Sequence, residues 1–157
     1  MHHTLKLIFS AALAVTIVAS SAPVQAGPAD TIKERRALMK NYGKNMKAIS
    51  GYLKKGRGTA ADVAASADKI AANASKIVAL YPKGTAASDN VGKTRAKPEI
   101  WSERAKFEDA VGKLKTLAMN LAAAARTGNK GAIGKAMGAM GKQSCGGCHR
   151  AFRAKKK

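Results

Sequence analysis

Acidic residues are scarce in this chain: nine Asp and Glu stand against 29 Lys and Arg, a formal charge of +20. No pair of carboxylates sits in a setting suited to general acid–base work, so enzymatic chemistry of that kind has no candidate and a non-enzyme is expected. Aromatics make up only 4% of the residues, and no nucleic-acid-binding motif accompanies the positive charge. A nucleic-acid partner is therefore not expected. β-branched runs are absent, which leaves a chain that is helical or disordered. Cysteine occurs only at Cys145 and Cys148, and histidine only at His2, His3 and His149. A structural zinc site would lack ligands.

What is present begins with an export signal. Lys6 and the flanking histidines form a short positive region, Leu7 to Ala19 an apolar core, and Val24-Gln25-Ala26 a small-residue cleavage site. The apolar run is too short to span a bilayer comfortably, and Pro23 follows it. Met1 to Ala26 are thus expected to be removed, leaving Gly27 to Lys157 as a single periplasmic domain with no membrane span.

Near the other end, Cys145-Gly146-Gly147-Cys148-His149 has the C-x-x-C-H pattern of covalent haem c attachment. Two thiols add across the two vinyl groups of the macrocycle, and the adjacent imidazole takes one axial position on iron. On a helix, Cys145, Cys148 and His149 fall at i, i+3 and i+4 and project within one broad face. A C-x-x-C pair can also be a redox dithiol, but such a pair usually opens a helix in an α/β pattern. This chain shows no such pattern.

The apolar spacing predicts four amphipathic helices. From about Asp30 to Leu53, Ile32, Met39, Tyr42, Met46, Ile49 and Leu53 form one stripe, with Asp30 or Thr31 as cap and Gly56-Arg57-Gly58 as stop. From Thr59, Val63, Ala67, Ile70, Ala74, Ile77 and Tyr81 repeat the scheme, and Thr59-x-x-Asp62 reads as a capping box. Periodicity vanishes from Pro82 to about Trp101, a long connection that Trp101 and Pro98 are expected to pack against the helices. A third helix from about Ser102 carries Phe107, Val111, Leu114, Ala118, Leu121 and Ala125. A fourth, from about Lys130, carries Ile133, Met137, Met140, Ser144 and Cys148. The expectation is an all-α, up-down-up-down four-helix bundle. Gly131, Gly134, Gly138 and Gly141 share one stripe of the last helix. They imply either close approach by a neighbouring helix or the haem edge, or a helix whose stability comes from the covalent cofactor.

These residues resemble the cytochrome c-prime family and, more closely, its low-spin relatives, the cytochromes c-556. The resemblance rests on Ala37-Leu38-Met39-Lys40 with Gly43 and Asn45-Met46, on Lys97-Pro98-Glu99-Ile100-Trp101, on Met140-Gly141-Lys142, and on Ala151-Phe152-Arg153 after the histidine. It spans essentially the whole mature chain. It implies a four-helix bundle with haem near one end, and allows a homodimer through the first two helices.

With the signal removed, His149 is the only histidine, so a sixth iron ligand would have to be a Met or a Lys, or the position would stay open. In an antiparallel bundle the end of helix four lies beside the start of helix one. Counting ~1.5 Å per residue, Met39 lies ~15 Å from that end and His149 ~8 Å, while Met46 and Met119 lie ~25 Å away. Met39 is therefore the expected distal ligand, and the resemblance to the c-556 type points the same way. Met/His ligation saturates iron and suits one-electron transfer. The alternative is a five-coordinate, high-spin cytochrome c-prime that binds nitric oxide or carbon monoxide. Met39→Ala separates the two: only an electron carrier would pass from low to high spin. The resemblance also implies that Arg153, one turn beyond His149, pairs with a haem propionate or limits access to the proximal face. Tyr42 is expected as pocket wall. The excess of positive charge suits redox protein partners with acidic docking surfaces, and equally fits solubility or association with anionic lipid headgroups.

Overall fold

Pro28 opens the first helix, with a ring-fixed φ and a missing N–H at a position where neither costs anything. The computed structural model describes residues 27–156; Met1–Ala26, the segment expected to be an export signal, lies outside the described residues. Helix α1 (Pro28–Lys55) has Gly27 as its N-cap, with no side-chain cap. Thr31 instead donates its hydroxyl to the Gly27 carbonyl at 3.2 Å, so neither Asp30 nor Thr31 is the cap. The helix stops at Gly56, whose φ of 62° is a left-handed conformation that costs glycine little.

The capping box at the start of α2 (Ala60–Ala74) is present: the Thr59 side chain accepts from Asp62 N, and Thr59 N donates to Asp62 at 2.8 Å. A break at Ser75 separates α2 from the short α3 (Lys76–Ala79). After Tyr81-Pro82 comes the long connection, which is more ordered than its lost periodicity suggests. It holds a 3-10 turn, Ala87–Asp89, and a single-turn helix α4 (Glu99–Ser102). Trp101 anchors it as expected, donating its indole N–H to the Tyr81 and Pro82 carbonyls at 3.1 and 3.0 Å.

Helix α5 (Arg104–Arg126) starts later than the sequence reading because the α4 turn closes at Glu103 with non-helical backbone. Its whole expected stripe, Phe107 through Ala125, is buried. Facing it, α2 buries Val63, Ala64, Ala67, Ile70, Ala71 and Ala74. The alanines let these two helices approach closely, and the larger side chains between them supply the apolar burial, about 1.5–3 kcal/mol each.

Asn129, expected only as part of a turn, caps α6 (Lys130–Ala139) by accepting from Ala132 N at 2.9 Å. The fourth helix is not one continuous α-helix. Met140–Gly146 winds as a π-helix before α7 (Gly147–Phe152) resumes, so Cys145 lies on the wide turn and Cys148 and His149 on the regular one. Together α1, α2–α3, α5 and α6–α7 form an antiparallel four-helix bundle; the described residues contain no strand, only an isolated bridge between Ala96 and Arg153.

No neighbouring helix crowds the glycine stripe. A Cβ at Gly134, Gly138 or Gly141 would meet no atom of the protein within 4 Å, and one at Gly131 only the Asn129 side chain.

Hydrogen bonds from Thr59 hold the Asp62 carboxyl below its usual range. A depressed carboxyl stabilises the fold above its unfolded pKa, and that contribution is lost as pH falls through the folded value. Thr59→Ala is expected to cost ~1 kcal/mol at neutral pH, a difference that shrinks in acid. Thermal melts of both proteins between neutral pH and pH 3 check it; a pH-independent gap would contradict the bond from the Thr59 hydroxyl to the Asp62 carboxylate.

Candidate functional site

Where the four helices diverge at one end of the bundle, they enclose a cavity of about 730 Å³, within the range of small-molecule and cofactor sites. On one side α1 contributes Met39, Tyr42, Gly43 and Met46, spaced i, i+3, i+4 and i+7 so that all four share a face. The other side is built from Ser144, Cys145, Cys148, His149 and Phe152. Phe107, Val111 and Leu114 of α5 form the apolar floor between them. The π-helical turn widens the helix just ahead of Cys148, and such turns recur at functional sites. A Cβ at Gly146 would sit 3.2 Å from the Gly141 carbonyl oxygen, so the first x of C-x-x-C is small for a local reason.

Every residue the sequence singled out therefore meets here: Cys145, Cys148, His149, Met39, Tyr42 and Arg153 all line the one cavity. Arg153 arrives differently from the expectation. The helix ends at Phe152, and Arg153 is extended rather than one turn further along. Its backbone pairs antiparallel with the connection, through Lys97 N to Phe152 O at 3.1 Å and Ala154 N to Arg95 O at 2.9 Å. This link sets Ala96 opposite Arg153, and Arg95 and Arg153 both line the cavity.

Burial raises the pKa of both Cys145 and Cys148, and Cys145 raises that of Cys148 further. A redox dithiol needs the opposite shift. Burial, then Arg153 and Arg95, lower the pKa of His149, favouring the neutral imidazole that binds metal. Among the described residues no three His, Cys, Asp or Glu side chains cluster closely enough to hold a metal by themselves.

Arg35 carried no role in the sequence reading, yet it is 2% exposed and has no carboxylate partner among the described residues. Its guanidinium donates to Thr85 Oγ1 at 3.0 Å, to the Thr85 carbonyl and to Thr94 Oγ1 at 2.7 Å. It also stacks on the Tyr81 ring, 4.6 Å from the centroid. Burial lowers its pKa. With Arg36, Lys93, Arg95, Arg153 and Lys156 it gives the cavity six cationic lining residues and no anionic one. A flat apolar macrocycle with carboxylate arms fits such a space: thiols and an imidazole on one wall, apolar walls around, cations at the rim. Nothing in the local sequence marked Arg35; the only signal was a charge on the inner stripe of α1, three residues after Ile32.

A family model described as Cytochrome C′ matches residues 30–153. The chain belongs to the cytochrome c-prime family. A cytochrome c-prime of Rhodospirillum rubrum is 36% identical over 144 residues, covering 92% of each chain. Among solved structures, a cytochrome c-prime with a ligand-controlled dimer dissociation is 35% identical with a TM-score of 0.76, covering 84% of this chain and all of that one. A variant of cytochrome c-prime from Alcaligenes xylosoxidans, solved as its nitric oxide complex, is 27% identical with a TM-score of 0.72, covering 84% of this chain and 99% of that one.

Membership brings a covalently attached c-type haem. It also corrects the functional expectation. These relatives are cytochromes c-prime, the high-spin type, and none of them is of the c-556 type, so the low-spin, His149/Met39-ligated electron carrier is overturned. Physically, a Met among i, i+3, i+4 and i+7 neighbours on one helix face serves as apolar wall. Helix spacing alone does not separate that from a ligand.

Replacing Arg35 by Leu strands the buried Thr85 oxygens and releases the half-buried Thr94 hydroxyl. A loss of about 1–3 kcal/mol is expected. Hydrogen exchange should accelerate in residues 85–96 more than in α5, and uniform acceleration would contradict the tethering role.

Proposed function

We propose that the protein is a five-coordinate, high-spin haem protein of the periplasm that binds nitric oxide or carbon monoxide. The observation that carries this is membership of the cytochrome c-prime family; a single imidazole on one wall, with Met39, Gly43 and Met46 of α1 also lining the cavity, accommodates it. The nitric oxide complex of the similar Alcaligenes protein supports the choice of ligand. Cys145 and Cys148 anchor the macrocycle through thioethers, and His149 is its one protein ligand. When bound, the haem supplies an iron able to take up a diatomic ligand at its open position. Met39 would line the cavity across from His149 as an apolar side chain. Phe107, Val111 and Leu114 exclude water, and the buried Arg35, with the rim arginines beside it, neutralises the haem carboxylates. Arg153, extended beside the proximal histidine, limits access from that side.

The protein acts as a binder rather than an enzyme. Met1–Ala26 serve to export it and are then removed, and among the described residues no helix is long and apolar enough to cross a membrane. The exposed rim cations Arg36, Lys93, Arg95, Arg153 and Lys156 steer acidic redox proteins that keep the iron reduced. Two bundles pair through α1 and α2, as supported by the similar cytochrome c-prime whose dimer dissociates under ligand control.

The reduced holoprotein should show a broad high-spin spectrum that shifts on adding carbon monoxide, and Met39→Ala should leave that spectrum unchanged while speeding uptake. A sharp low-spin α-band that ignores carbon monoxide would overturn the reading.

A further inference from the structure

One polar atom in the cavity has nothing to do. Tyr42 is 8% exposed, lines the cavity beside Met39 and Met46, and its hydroxyl has no hydrogen-bond partner among the described residues. A buried hydroxyl left unpaired is costly, so it is retained where something else completes the bond. Burial also pushes the Tyr42 pKa up to about 12, which keeps the group a neutral donor throughout the physiological range.

The acceptor has to come from what enters the cavity; besides water, two sources have the needed partial negative charge: a small ligand or a haem carboxylate. The position of Tyr42 favours the first. Cations suited to carboxylates gather at the Arg35 end with Arg36, Lys93 and Arg95. Tyr42 lies seven residues further along α1, about 10 Å at ~1.5 Å per residue. Its companions on the α1 face are Met39, Gly43 and Met46, and the floor below is Val111 and Leu114. In that apolar stretch a ligand atom is the acceptor that a neutral donor can serve without a counter-charge.

We propose that the Tyr42 hydroxyl donates a hydrogen bond to a diatomic ligand held in the cavity and is thereby a specificity-determining residue of the site. The proposal rests on the gas-binding function above. Among the apolar side chains around Tyr42 a lone donor is worth more than at the surface. It selects ligands whose outer atom accepts a hydrogen bond and slows their escape.

The test is Tyr42→Phe in the reduced holoprotein, loaded with carbon monoxide and separately with nitric oxide. Loss of the donor should shift the C–O and N–O stretching bands and raise both dissociation rates about threefold to tenfold, the span of one ordinary hydrogen bond. The ligand-free variant should melt no lower than the parent, because it loses an unpaired group and little packing. Should the variant fail to take up haem, the unsubstituted protein decides. A donated proton makes the bands move in deuterium oxide, and unmoved bands overturn the proposal. Bands and rates unchanged in Tyr42→Phe, with a changed reduction potential, would assign the hydroxyl to a haem carboxylate and overturn it as well. A protein that takes up no carbon monoxide would overturn the gas-binding function itself; uptake with unmoved bands overturns only the role of Tyr42.

Discussion

A guanidinium with no carboxylate beside it holds the open end of the bundle together. A cavity of this size at the meeting point of four helices removes the side-chain contacts that would normally close a core. Arg35 replaces part of that loss with directional bonds. It reaches from α1 to Thr85 and Thr94, and it stacks on Tyr81, which in turn meets Phe107 edge-on at 5.0 Å; Phe107 meets Phe152 the same way at 5.3 Å. Three helices and the long connection are thus tied at one corner. A buried charge is tolerated when its hydrogen bonds are complete and a counter-charge is at hand. In this protein the hydrogen bonds come from the connection, and the haem carboxylates are the natural counter-charge.

The second constraint is the short antiparallel link between residues 95–97 and 152–154. It fixes the connection against the strand-like segment that follows the proximal histidine, and Lys97 adds a bond from its ammonium to the Ala151 carbonyl at 2.9 Å. Arg95 and Arg153 consequently belong to a hydrogen-bonded border rather than to a loose loop. Their charge is also unspent: the ion pairs among the described residues, such as Lys97–Glu99 and Arg126–Asp68, draw on other basic side chains.

Much of this was legible in the chain itself. The four-three alternation of Phe107 through Ala125 named a fully buried stripe, and Thr59 with Asp62 named a cap, because both depend on neighbours within a turn or two. C-x-x-C-H named the haem wall for the same reason. What escaped depends on distant partners. The π-helical turn at Met140–Gly146 has no local propensity signature. Arg35 looks like any surface arginine until Thr85 and Thr94 come round to meet it. The pairing of Ala96 with Arg153 joins segments more than fifty residues apart. The spin state escaped for a different reason: Met39 occupies the same helical position whether it binds iron or merely covers it, and only kinship with cytochromes c-prime separates the two.

The scarcity of aromatics has one more consequence, an optical one. The only tryptophan, Trp101, sits 6.3 Å from Tyr81, at the end of the bundle that carries the cavity. Tyr42, Phe107 and Phe152 line that cavity, whereas the opposite end is packed with Ile49, Val63, Leu121 and alanines. Tryptophan emission of this chain consequently reports on the cavity end alone, Tyr52 being the aromatic at the other. A chromophore as strongly absorbing as haem, lodged close to Trp101, would quench that emission, so brightness tracks cofactor content, while fraying at the far end passes in the dark.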